Sequence, residues 1–210
     1  MGCSGSKGDS PVSTAKGDGG EGGGEDAWKA IHSMCRWAKI DELKDQLNAE
    51  TIELEDPGNG NRLVHIAAQN GHQEILDLLV ERKCDVNAQN KKGQTALHMA
   101  VEYDYYWIAR TLMENGASGQ ITNADGHKAE NGIEGQKKGL NATAAFTSAQ
   151  TKKEIDSALD LILKQLEDNP ESAADIDKAE IVQAFMKNKK DTTKWTPEID
   201  AKCKLVISKV

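Results

Sequence analysis

The sequence predicts an all-α fold in which short helices stack as a repeat solenoid, and three observations carry that expectation. His32, His65 and His98 lie at intervals of 33 residues. Gly60, Gly93 and Gly126 keep the same interval. Between them run segments with apolar residues at helical spacing, such as Ile75-Leu76-Asp77-Leu78-Leu79-Val80 and Trp107-Ile108-Ala109-Arg110-Thr111-Leu112-Met113. A fixed period of this length marks units that hide their apolar faces by stacking on one another.

Around His98 the chain reads Gly93-Gln94-Thr95-Ala96-Leu97-His98-Met99-Ala100, and around His65 it reads Arg62-Leu63-Val64-His65-Ile66-Ala67-Ala68-Gln69-Asn70-Gly71-His72. Cys84-Asp85-Val86-Asn87-Ala88 follows one helix later. These stretches resemble the ankyrin repeat, whose signature is T-P-L-H-x-A at this period. The resemblance implies units over residues 26–58, 59–91 and 92–124, with a degenerate one at 125–148 in which Glu130 and Asn131 stand at the Leu-His positions. It also implies that each histidine bonds to a neighbouring loop, and that the array binds proteins and carries no reaction centre.

Residues 149–210 read as a helical C-terminal cap. Thr151-Lys152-Lys153-Glu154 has the form of a capping box, and Ile155, Leu159, Ile162, Leu163 and Leu166 share one face until Asn169-Pro170 stops the helix. Ile176, Val182 and Phe185 mark a shorter segment. Thr196-Pro197 then offers a cap and first-turn proline for a last helix with Ile199, Cys203 and Val206. The open end of the repeat stack is the expected place for these apolar stripes.

Residues 1–25 are Gly, Ser and acid with one large apolar residue, Val12, a composition that cannot offset the entropy of ordering. Their start, Met1-Gly2-Cys3-Ser4-Gly5-Ser6, fits the pattern M-G-x-x-x-[ST] for myristoylation of Gly2, with Cys3 beside it for palmitoylation. One myristoyl chain gives only reversible binding, on the order of 10⁴ M⁻¹. Lys7 and Lys16 are outnumbered by Asp9, Asp18, Glu21, Glu25 and Asp26, so Cys3 is the expected second anchor within the tail.

Composition excludes several classes. The formal charge of −8 argues against nucleic acid, whose phosphates demand clustered cations. No apolar run approaches the ~20 residues of a spanning helix. Cys3, Cys35, Cys84 and Cys203 lack metal-ligand spacing, and no nucleophile, metal or phosphate-loop motif is present, so no catalytic residue, metal or cofactor is expected.

Partner contact is expected on the turn tips, at Asn90, Lys91, Lys92, Asn123 and Asp125, and at an aromatic window. Tyr103, Tyr105, Tyr106 and Trp107 align with Asn70, His72, Gln73 and Glu74 one repeat earlier, where polar residues are usual. Something should cover four such residues, either a partner or the chain's own C-terminal helices. Asn169 to Glu180 echoes the end of an EF-hand loop, but Ala174 stands where the turn needs Gly and Ala173 at a ligand position. The expected function is a monomeric adaptor that holds a protein partner at the cytosolic face of a membrane through its acyl chains. A regulatory or inhibitory subunit of an enzyme, and a calcium-responsive switch through residues 169–180, are the alternatives.

Overall fold

The computed structural model describes residues 27–137 and 141–210; Gly2 and Cys3 lie outside them. Three helical hairpins come first, α1 (Ala27–Arg36) with α2 (Ile40–Gln46), α3 (Leu63–Asn70) with α4 (Gln73–Glu81), and α5 (Ala96–Glu102) with α6 (Tyr106–Glu114). Four helices follow, α7 (Ala142–Thr147), α8 (Lys152–Asp168), α9 (Lys178–Asn188) and α10 (Pro197–Lys209). The described residues contain no strand, only an isolated bridge between Thr122 and Lys128.

Each hairpin exists because its two helices present apolar stripes that meet. Leu63, Leu76 and Leu79 of the second unit pack with Leu97, Ala109 and Leu112 of the third in one continuous core that begins at Ile31 and ends at Ala129. Burying a leucine such as Leu97 contributes about 1.5–3 kcal/mol. The connection inside each hairpin needs a left-handed residue, supplied at 33-residue intervals by Ala38 (φ 53), Gly71 (φ 75) and Asp104 (φ 57). Only the second unit places a glycine there.

The fourth unit departs from its expected span. Its first helix shrinks to one 3-10 turn, Ala129–Asn131, which seats Ala129 in the array core against α5. Glu130 and Asn131 offer no Leu-His pair to bury. The chain is then held by Glu102, whose Oε2 accepts from the backbone N–H of Ile133 (2.8 Å) and Glu134 (3.1 Å). Helix α7, at the end of the expected 125–148 unit, belongs to a second core instead.

That second core joins Phe146, Ile155, Leu159, Ile162, Ile181, Phe185, Ile199, Cys203 and Val206 with Tyr106 of the array. The caps are as local chemistry dictates. Thr151 and Glu154 exchange hydrogen bonds at the start of α8, Asp177 Oδ1 accepts from Ala179 and Glu180 at the start of α9, and Thr196 accepts from Ile199 at the start of α10. These helices reach the end of the stack through α7 on α6 and bury most of their stripes against one another.

Candidate functional site

The period-33 histidines are buried, and two of them, His65 and His98, are joints between units. His65 Nδ1 accepts from the Arg62 N–H (3.1 Å), so the neutral ring carries its proton on Nε2 and donates to the Gln94 carbonyl (3.1 Å). His98 repeats this, accepting from the Thr95 N–H (3.0 Å) and donating to the His127 carbonyl (3.0 Å). His32 donates to the Leu54 carbonyl (2.9 Å), but its Nδ1 has no partner. Burial pushes all three imidazoles below their ordinary 6.5. Among the described residues no three His, Cys, Asp or Glu side chains gather as a metal site. Burial also pushes the thiols of Cys35, Cys84 and Cys203 up to about 12, far from a reactive thiolate.

The tips divide into buried clamps and exposed groups, of which Lys91 donates to the Pro57 carbonyl (2.5 Å). Asn90 is buried; its Oδ1 accepts from Lys92 N (2.9 Å) and Gln94 N (3.0 Å), and its Nδ2 donates to Asn61 (2.9 Å). Asn123, also buried, does the same one unit on, accepting from Asp125 N (3.1 Å) and His127 N (2.9 Å) and donating to the Ile133 carbonyl (2.8 Å). These two side chains are spent on holding their turns, and Asn90 also lines the groove between the tips and the first helices. Lys91, Lys92 and Asp125 are exposed. The signal for the difference was legible: an Asn at the start of a tight turn bonds to its own backbone two residues on.

The aromatic window also divides. Tyr106 is buried in the second core, and Trp107 stacks edge-on against it at 5.2 Å while its Nε1 donates to the Ala145 carbonyl (3.0 Å). The chain's own helices therefore take the places a partner was expected to take at these two residues. Tyr105 packs against the array core, close enough to Gly71 that a Cβ there would lie 3.0 Å from its Cζ. Tyr103 alone of the four points outward, at 47% exposure.

Tyr103 and the tip residues Asn90, Lys91 and Lys92 border one groove of about 400 Å³, lined also by Gln69, Met99 and Ile133, whereas Asn123 and Asp125 lie outside its lining. Met99, Gln69 and Ile133 gave no signal in the sequence, because only the stacking of units brings them beside the tips. Among the described residues, the groove's charged groups are Lys91 and Lys92, and none beyond Ile133 lines it. Residues 169–180 form a 3-10 helix, Pro170–Asp175, and the start of α9, with Asn169 and Asp177 serving as caps.

The family model for ankyrin repeats (3 copies) matches residues 30–123. Among curated proteins, a probable E3 ubiquitin-protein ligase of Oryza sativa subsp. japonica is 43% identical over 56 residues, 27% of this chain and 11% of that protein. The nuclear factor NF-kappa-B p105 subunit of Mus musculus is 44% identical over 75 residues, 35% and 8% respectively. The NF-kappa-B inhibitor cactus of Drosophila yakuba is 49% identical over 45 residues, 21% and 9%. The alignments thus cover about a tenth of each relative, and the likeness to enzymes is confined to the repeats. Three stacked hairpins, buried histidines at 33-residue intervals and the family match give one conclusion: residues 30–123 are an array of ankyrin repeats, a protein-binding architecture.

Proposed function

We propose that this chain is a non-catalytic adaptor that grips a protein partner in the groove between the turn tips and the first helices, and is tethered by acylation of Gly2 and Cys3 at the cytosolic face of a membrane. The groove carries this reading. It stays open while the C-terminal helices occupy Tyr106 and Trp107, and it combines an exposed tyrosine with two lysines and an apolar floor. Tyrosine is among the residues enriched at interface hot spots. The tether rests on the sequence pattern at Gly2 and Cys3.

Proximity labelling in the native cell tests both halves. Tyr103→Ala with Lys92→Glu should remove the labelled partners while leaving the protein membrane-bound. Gly2→Ala should release it to the soluble fraction, and Cys3→Ser should leave weak, washable binding. An unmodified Gly2 in the intact mass of the native protein would reject the tether and leave the groove standing. A second reading, a regulatory subunit that occludes an enzyme through the same groove, is supported by the likeness to an NF-kappa-B inhibitor; it predicts that the captured partner loses activity when bound.

A further inference from the structure

Charge is distributed unevenly along this chain. From Lys178 to Lys209 there are eight lysines against four carboxylates, Glu180, Asp191, Glu198 and Asp200, within a protein of net charge −8. Lys202 is paired with Asp156 (2.6 Å) and Asp160 (2.7 Å) of α8, while Lys187, Lys189 and Lys190 follow one another at the end of α9. Asp200 receives both Lys189 (3.0 Å) and Lys204 (2.6 Å), so two ammonium groups from two elements share one carboxylate. Lys187 and Lys190, beside Lys189, are exposed and form no ion pair among the described residues. Two large apolar side chains are exposed next to these lysines in the chain, Met186 at 57% beside Lys187 on α9 and Leu205 at 46% beside Lys204 on α10.

We propose that this edge of the C-terminal bundle docks on anionic lipid headgroups. Lysines around a projecting Met and Leu suit a bilayer surface: the ammonium groups meet headgroup phosphates and carboxylates, and the apolar tips enter the acyl boundary. Nucleic acid fits less well. No arginine follows Arg110 in the sequence. The nearby Trp195 is stacked on Phe185 at 5.2 Å with its Nε1 bonded to Asp200 (3.1 Å), which leaves no free ring to stack a base. The edge stands apart from the acylation motif and needs no acyl chain.

The test uses the full chain produced without acyltransferase, so that Gly2 is unmodified and only the bundle is read. Vesicles of phosphatidylcholine alone are compared with vesicles containing about one-third phosphatidylserine. Partition onto the anionic vesicles should be roughly ten-fold stronger at about 0.1 M salt and lost at about 0.5 M. Lys187→Glu with Lys190→Glu should abolish the preference without moving the unfolding midpoint, since neither lysine is paired in the fold. Met186→Ser with Leu205→Ser should weaken partition and keep its salt dependence. Equal partition onto both vesicles, an unchanged preference in the lysine variant, or binding to polyuridine in place of vesicles overturns the proposal. None of these outcomes depends on whether Gly2 is acylated in the cell.

Discussion

His65 and Gln94 lie 29 residues apart and are joined by one hydrogen bond, from imidazole Nε2 to carbonyl oxygen at 3.1 Å. His98 and His127 repeat the bond at the same separation. Each imidazole is fixed at its other nitrogen by the backbone of its own unit, so it serves as a rigid strut from one repeat to the turn of the next. The array is thereby coupled through neutral rings, and its stability is tied to their protonation.

Desolvation is the main cause of the lowered values at His65 and His98, outweighing the carbonyl bonds that favour the charged ring. In the unfolded chain both imidazoles gain a proton as pH falls through about 6.5, while the folded rings stay neutral to lower pH. The unfolded state then binds more protons, so this contribution is fully present above about 6.5 and is lost as pH falls below it. Urea midpoints should decline below that pH. His98→Asn should lower the midpoint at neutral pH and reduce the acid slope; equal slopes in the two proteins would place the titration elsewhere.

Leu97→Ala removes a fully buried side chain from the contact between the second and third units. A loss of about 2–5 kcal/mol is expected from the transfer term and the cavity together. Denaturant melts measure it. A change below about 0.5 kcal/mol would mean that the core collapses around the gap or that Leu97 is not buried.

A left-handed residue closes every hairpin, and the three differ in how well they suit it. Ala38 holds φ 53 on an exposed turn where its Cβ is unfavourable. Ala38→Gly should raise stability by roughly 0.5–1 kcal/mol, the steric relief exceeding glycine's added unfolded freedom. Gly71→Ala should do the reverse by about 1–2 kcal/mol, since it has both a positive φ and Tyr105 against it. Thermal midpoints of opposite sign in the two variants are the expected result.

The repeats were legible in the sequence because the first three units state the same physics, an apolar residue (Ile31, Val64, Leu97) before a His at a fixed period. So were the ends of α8 and α10, where Thr151, Glu154 and Thr196 cap by local chemistry alone. The groove was legible only at Asn90, Lys91, Lys92 and Tyr103. Met99 and Ile133 join it through stacking across units, and no local pattern encodes that. In the fourth unit, degenerate already in sequence, the register persists while Glu130 and Asn131 remove the burial that would make a helix. Its α7 stripe, with Phe146, then finds α8 and α9 in place of the array.

The junction between the two cores rests on Trp107. Its ring packs against the second core and its indole N–H meets the Ala145 carbonyl, while the neighbouring Tyr106 is buried beside Phe146. Deleting residues 141–210 should expose Trp107 to iodide or acrylamide and lower the melting midpoint of the array, which keeps its own core from Ile31 to Ala129. Trp28, Trp37 and Trp195 are first replaced by Phe so that one fluorophore reports; Trp37, at 70% exposure, would otherwise dominate the quenching. In the full chain, Trp107→Phe keeps most of the apolar contact and removes the donor, and should cost about 0.5–1.5 kcal/mol. If the deletion leaves both quenching and melting unchanged, the C-terminal helices do not cover this face. Tyr106 and Trp107 would then return to the surface available to a partner.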